Sequence, residues 1–103
     1  RAMAIADVFE ALTSNDRPYK KAKTLTESID IMTAMATSGH IDPKLYLLFL
    51  EQELDLKYAE LYLSSEQKTE FDRKAHIMKV KSYLKSLFWR ISQNHWPTLE
   101  LKL

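Results

Sequence analysis

Asp7 and Glu10 stand three residues apart in the stretch from Arg1 to Ser14, which holds neither proline nor glycine. On a helix that spacing makes them neighbours on one side. Two adjacent carboxylates offer hard oxygen donors to a divalent cation; the same pair is also common on a solvated helix surface. A second group follows, with Arg17, Lys20 and Lys21 around Pro18 and Tyr19. A guanidinium fork beside ammonium groups, on a segment stiffened by proline, could clamp a phosphate; the alternative is a solvated loop with its tyrosine packed inward. The histidines offer less. His40, His76 and His95 are each alone, and no two of them stand at the i, i+4 spacing of a metal-ligand pair. His40 follows a helix-ending glycine, where capping is the ordinary role, and His76 stands four after Asp72, with which it can pair. There is no HExxH or GxSxG motif, and a chain with one glycine cannot build a glycine-rich phosphate loop.

These groups need elements to hold them. Met3, Ile5, Ala6, Phe9 and Leu12 with Thr13 recur at helical spacing, so Arg1 to Ser14 reads as an amphipathic helix. Ser14, Asn15, Asp16, Arg17 and Pro18 end it and open the basic loop. Thr24 and Glu27 have capping-box form, so a second helix begins near Leu25, with Leu25, Ile29, Met32, Met35 and Ala36 on its apolar side and Gly39 at its end. Asp42-Pro43 supplies an N-cap and a first-turn proline to a third helix through Leu45, Leu48, Phe49 and Gln52. The apolar run Leu45 to Leu50 reads as a buried helical turn, far shorter than the roughly 20 residues of a membrane span. Asp55 to Leu63 either continues that helix or forms a short fourth, with Leu56, Tyr58, Ala59 and Leu63 available for burial. Ser64 and Gln67 form a second capping box, predicting a long helix with an apolar stripe of Phe71, Ala75, Met78, Leu84, Leu87, Phe88 and Ile91. Leu99 to Leu103 is expected to be a tail.

Composition narrows the classes. The 103 residues suit one domain; 46% are hydrophobic and 28% charged, so the chain is folded rather than disordered. Without cysteine there is no disulfide scaffold, thiolate zinc site or cysteine nucleophile. Residues 1–67 hold 7 bases and 11 acids, net −4, and residues 68–103 hold 8 bases and 3 acids, net +5. The halves can attract each other, or the basic helix can meet an acidic partner. Lys68, Arg73, Lys74, Lys79, Lys81, Lys85 and Arg90 are expected to form its solvated face, with neither nucleic acid nor membrane as partner. The fold class is all-α, four to five helices in one domain.

Taken together, Ala4-Ile-Ala-Asp-Val-Phe-Glu-Ala-Leu-Thr-Ser14, Arg17-Pro-Tyr-Lys-Lys21 and Gly39-His-Ile-Asp-Pro43 resemble the C-terminal part of an HD-GYP domain. That family comprises metal-dependent phosphohydrolases and includes bacterial cyclic di-GMP phosphodiesterases. The resemblance covers residues 1–70, where Tyr58-Ala59 and Leu63 to Gln67 are similar to the family's closing helices; residues 71–103 form an extension without counterpart. It implies that Asp7 is a ligand of a centre of divalent ions, iron or manganese, that Arg17 and Lys20 contact substrate phosphates, and that Glu10 supports the metal ligand. The spacing from Asp7 to Arg17 is one residue longer than in the compact form of the motif. The adjacent His-Asp pair, the Gly-Tyr-Pro segment and the other metal-binding histidines lie upstream in relatives and are not among these residues.

Because the chain opens on Arg1, it is expected to be a piece of a longer cytoplasmic enzyme, inactive and without stably bound metal on its own, its partners being the upstream half of the domain and a cyclic dinucleotide. Core surface left uncovered would drive self-association into a homo-oligomer. The rival reading is a non-catalytic helical interaction or signalling module derived from such a domain.

Overall fold

The computed structural model describes residues 4–14 and 21–93. These form five helices and no strand: α1 (Ile5–Thr13), α2 (Leu25–Ala36), α3 (Pro43–Glu51), α4 (Leu54–Tyr62) and α5 (Arg73–Gln93). The expected all-α class is what the chain adopts. No helix among the described residues is long and apolar enough to cross a membrane. The expected tail, Leu99 to Leu103, lies outside the described residues.

The caps place α2 and α3. Thr24 Oγ1 accepts the Glu27 amide while the Glu27 carboxylate accepts the Thr24 amide, closing the predicted capping box at 3.2 and 3.0 Å. Asp42 Oδ1 accepts the amides of Lys44 and Leu45, with Pro43 at the first helical position. Between the two helices Gly39 adopts φ +82°, a conformation that costs most residues steric strain. Glu53 pays that penalty at φ 55° and separates α3 from α4, so the stretch after Gln52 is a distinct fourth helix.

The core is one cluster: Ile5, Val8 and Phe9 of α1; Leu25, Ile29, Met32 and Ala36 of α2; Ile41 before α3; Tyr46, Phe49 and Leu50 of α3; Ala59 of α4; and Val80 of α5. Three expectations need correction. Leu45 and Leu48 are 54% and 50% exposed, because α3 turns Tyr46, Phe49 and Leu50 inward instead; Leu56 of α4 is exposed as well. The Ser64–Gln67 pair makes only half of a capping box: Gln67 Oε1 accepts the Ser64 amide, but the Gln67 amide goes to the Ser64 carbonyl, and the segment is a loop turn rather than the start of a helix. Helix α5 starts nine residues after Ser64, where Asp72 Oδ1 accepts the Ala75 amide.

The apolar phase of α5 also differs from the expected one. Its inward side is Arg73, His76, Ile77, Val80, Tyr83, Leu84 and Leu87, while Ala75, Met78 and Phe88 face solvent. Burying Val80 against α2 and α3 sets this rotation, and it brings His76 and Arg73 into the interior.

Candidate functional site

The inward face of α1 fixes where Asp7 and Glu10 go. Phe9 meets Phe49 and Tyr58 edge to face, both at 5.3 Å between ring centroids, and Thr13 Oγ1 donates to the Phe9 carbonyl at 2.8 Å. With Ile5, Val8, Phe9 and Thr13 buried, Asp7 and Glu10 are exposed, and their spacing of three within α1 puts them on one side of the helix. Glu10 also lines a polar cavity of about 290 Å³ together with Thr13, Ser14, Tyr62, Ser64 and Gln67.

That cavity adjoins the base of the basic loop, and Gln67 builds the base. Its Nε2 donates to the carbonyls of Thr13 and Lys23, both at 2.9 Å, joining the residue before the loop to the residue after it. Its carbonyl accepts the Leu25 amide at 2.8 Å, and the Lys23 amide reaches the Leu12 carbonyl at 3.1 Å. Its Oε1 accepts from the Ser64 amide and hydroxyl at 3.2 and 3.3 Å. Every hydrogen-bonding position of this buried amide is used. Arg17 and Lys20 lie outside the described residues, so the structure places the loop's ends but not these two side chains. Gln67 was missed as a functional residue in the sequence because a capping box accounts for its pattern without reference to residues more than 40 positions away.

Among the described residues no three or more His, Asp, Glu or Cys side chains stand close enough to hold a metal ion. Asp7 and Glu10 by themselves fall short of the several ligands that a metal centre requires. The described residues therefore do not fit a complete metal centre by themselves.

Two further surfaces flank the core. An apolar groove of about 440 Å³ runs between α1, α3 and α4, lined by Ile5, Ala6, Phe9, Leu45, Leu48, Phe49, Leu54 and Tyr58. A cleft of about 520 Å³ between α2 and α5 is lined by Asp30, Thr33, Thr37, His76, Lys79 and Tyr83. His76 does not take Asp72 as its side-chain partner: Asp72 caps α5, and the imidazole turns to α2, with Nε2 3.3 Å from Asp30 Oδ1 and Nδ1 2.8 Å from Thr33 Oγ1. Burial lowers the His76 pKa below its ordinary value, against the opposing pull of Asp30. His40 bonds locally, its amide to the Met35 carbonyl at 2.9 Å and its Nδ1 to Ser38 Oγ at 2.7 Å, which is the capping role expected of it.

Residues 1–45 match the sequence model of the HD domain family, a span that takes in α1, the basic loop, α2 and the first residues of α3. This supports a relationship to the HD superfamily over that span, a superfamily whose members are generally metal-dependent. No curated protein and no solved structure matches the chain.

Proposed function

We propose that this chain is the C-terminal part of a bacterial HD-GYP-type phosphohydrolase that, when intact, hydrolyses cyclic di-GMP in the cytoplasm as part of a signalling pathway. One observation carries the reading: the likeness of residues 1–45 to the HD domain spans both Asp7 and the Arg17-Pro-Tyr-Lys20 block. Asp7 supplies one ligand to a centre of divalent iron or manganese, and Glu10 supports it from the same side of α1. Arg17 and Lys20 hold the substrate phosphates, where a planar fork and a point charge suit the anionic oxygens. The remaining ligands come from polypeptide outside these residues, the upstream half of the domain, which also covers the apolar groove. When bound, such ions activate a water for attack on the phosphodiester. By itself the chain lacks that centre and is inactive.

The test is expression of the reading frame together with the codons that precede Arg1, followed by hydrolysis assays on cyclic di-GMP with manganese or iron. Asp7→Ala is expected to abolish turnover, and Arg17→Ala or Lys20→Ala to raise KM. Residues 1–103 alone are expected to retain no stoichiometric iron or manganese after dialysis. An Asp7→Ala enzyme with undiminished turnover overturns the proposal.

A further inference from the structure

Helix α5 is joined to α2 and α3 by a line of polar side chains whose hydroxyl hydrogen bonds can run in either of two directions. Beyond the His76 contacts to Asp30 and Thr33 given above, Thr33 Oγ1 is 2.8 Å from the Tyr46 hydroxyl, and that hydroxyl is 3.1 Å from the Ile29 carbonyl. Thr33 and Tyr46 are 4% and 0% exposed, so neither can turn to bulk water.

Each hydroxyl has one proton to donate, and the two ends of the line, a carboxylate and a carbonyl, only accept. With His76 neutral, the Asp30 carboxylate requires the ring proton on Nε2. The bare Nδ1 then accepts from Thr33, and the Thr33 oxygen accepts from Tyr46. With His76 protonated, both nitrogens donate, so Nδ1–H donates a hydrogen bond to the Thr33 oxygen. The Thr33 hydroxyl must then donate to the Tyr46 oxygen, and the Tyr46 hydroxyl donates to the Ile29 carbonyl. The third arrangement, a neutral ring protonated at Nδ1, would set a bare nitrogen against the Asp30 carboxylate at 3.3 Å.

We infer that His76, Thr33 and Tyr46 form a proton-responsive relay, in which one proton gained at His76 Nδ1 reverses both the Thr33 and the Tyr46 hydroxyl bonds across the α2–α3–α5 junction. The proton comes from hydronium in the cleft that His76 and Asp30 line; its O–H bond breaks as N–H forms, leaving water, and the two hydroxyls reverse by rotation with their own O–H bonds intact. The charged and titratable groups facing the imidazole are Asp30 from α2, Tyr46 through Thr33 from α3, and Asp72, Arg73, Lys79 and Tyr83 from α5 and its cap. Arg73 is itself engaged by Asp55 of α4. Burial is the largest influence on His76 and disfavours its charged form, so the neutral order prevails near neutral pH and the reversal falls on the acid side of the ordinary histidine range. Burial also pushes the Tyr46 phenol well above its ordinary value, which keeps its proton available throughout. The relay does not depend on the phosphohydrolase reading.

The test is NMR on the whole chain with ¹⁵N-labelled histidine and tyrosine labelled with ¹³C at Cζ. Above its midpoint His76 is expected to carry its proton on Nε2, and the Tyr46 Cζ resonance is expected to titrate with the His76 midpoint. Thr33→Val should leave His76 titrating while the Tyr46 curve becomes flat, and Thr33→Ser should restore the coupling. A flat Tyr46 curve in the unaltered protein, an Nδ1-protonated ring above the midpoint, or coupling that survives Thr33→Val each overturns the inference. Should Thr33→Val fail to fold, the curves of the unaltered protein and of Thr33→Ser decide.

Discussion

Arg73 grips Asp55 with both arms of its guanidinium, Nη1 to Oδ1 at 2.8 Å and Nη2 to Oδ2 at 2.9 Å, and the carboxylate is fully buried. Nη1 also donates to the Leu50 carbonyl at 3.0 Å, and the guanidinium carbon lies 4.8 Å from the centre of the Phe71 ring. The hydrogen bond to Asp55 holds the Arg73 pKa above its ordinary value. This pair ties the start of α5 to α3 and α4.

Breaking it from one side strands a buried charge. Arg73→Ala is expected to destabilise the fold by about 3 to 5 kcal/mol, read as a lower midpoint in urea denaturation. The double replacement Asp55→Leu with Arg73→Met should cost less than Arg73→Ala alone, since it leaves no unpaired charge. A double variant weaker than the single one would show that the pair stabilises beyond the satisfaction of its own charges.

His76 makes stability depend on pH with a definite sign. Its folded pKa lies below the ordinary 6.5, so between those two values the unfolded chain binds more protons than the folded one. The contribution is therefore complete above about pH 6.5 and is lost as pH falls through the lowered folded value. Denaturant midpoints compared at pH 7.5 and pH 5.5 should fall more steeply for the unaltered protein than for His76→Gln. Equal slopes would refute this.

Gln67 is expected to matter far beyond its own turn. Gln67→Ala leaves the carbonyls of Thr13 and Lys23 without their side-chain donor, at a cost of about 2 to 3 kcal/mol. Hydrogen exchange should quicken first at the amides of Lys23 and Leu25, with α3 unchanged at the outset. Gln67→Glu should be worse, because a carboxylate oxygen would replace the donor facing those two carbonyls.

The apolar groove should make the isolated chain associate with itself. Sedimentation of residues 1–103 is expected to show concentration-dependent dimers, and Leu48→Glu, on the exposed rim of the groove, should shift the chain to monomer. As a surface change, it should alter folding stability by no more than about 0.5 kcal/mol. Monomeric behaviour of the unaltered chain at high concentration would remove this expectation.

Features that rest on neighbours in the chain were legible beforehand. The Thr24–Glu27 box, the Asp42–Pro43 start, the turn at Gly39 and the shared face of Asp7 and Glu10 each depend on four residues or fewer, and each is present in the structure. What depends on distant partners was hidden. Asp55 and Arg73 are 18 positions apart, and Gln67 and Thr13 are 54 apart. The rotation of α5 misled for another reason: Met78 and Phe88 are as apolar as Ile77 and Leu84, so periodicity offered two phases and only packing on α2 and α3 selects one. Arg17 and Lys20 remain expectations drawn from resemblance.

Beyond Leu87, α5 loses its footing on the body of the protein: Phe88 and Trp89 are 75% and 63% exposed, and Ile91 is exposed beside them. From Leu87 to Gln93 the helix runs on for about 9 Å at its usual rise. The start of α5 is held by Asp55 and Thr33, so Phe88 and Trp89 are carried out clear of that anchorage as apolar side chains presented to solvent.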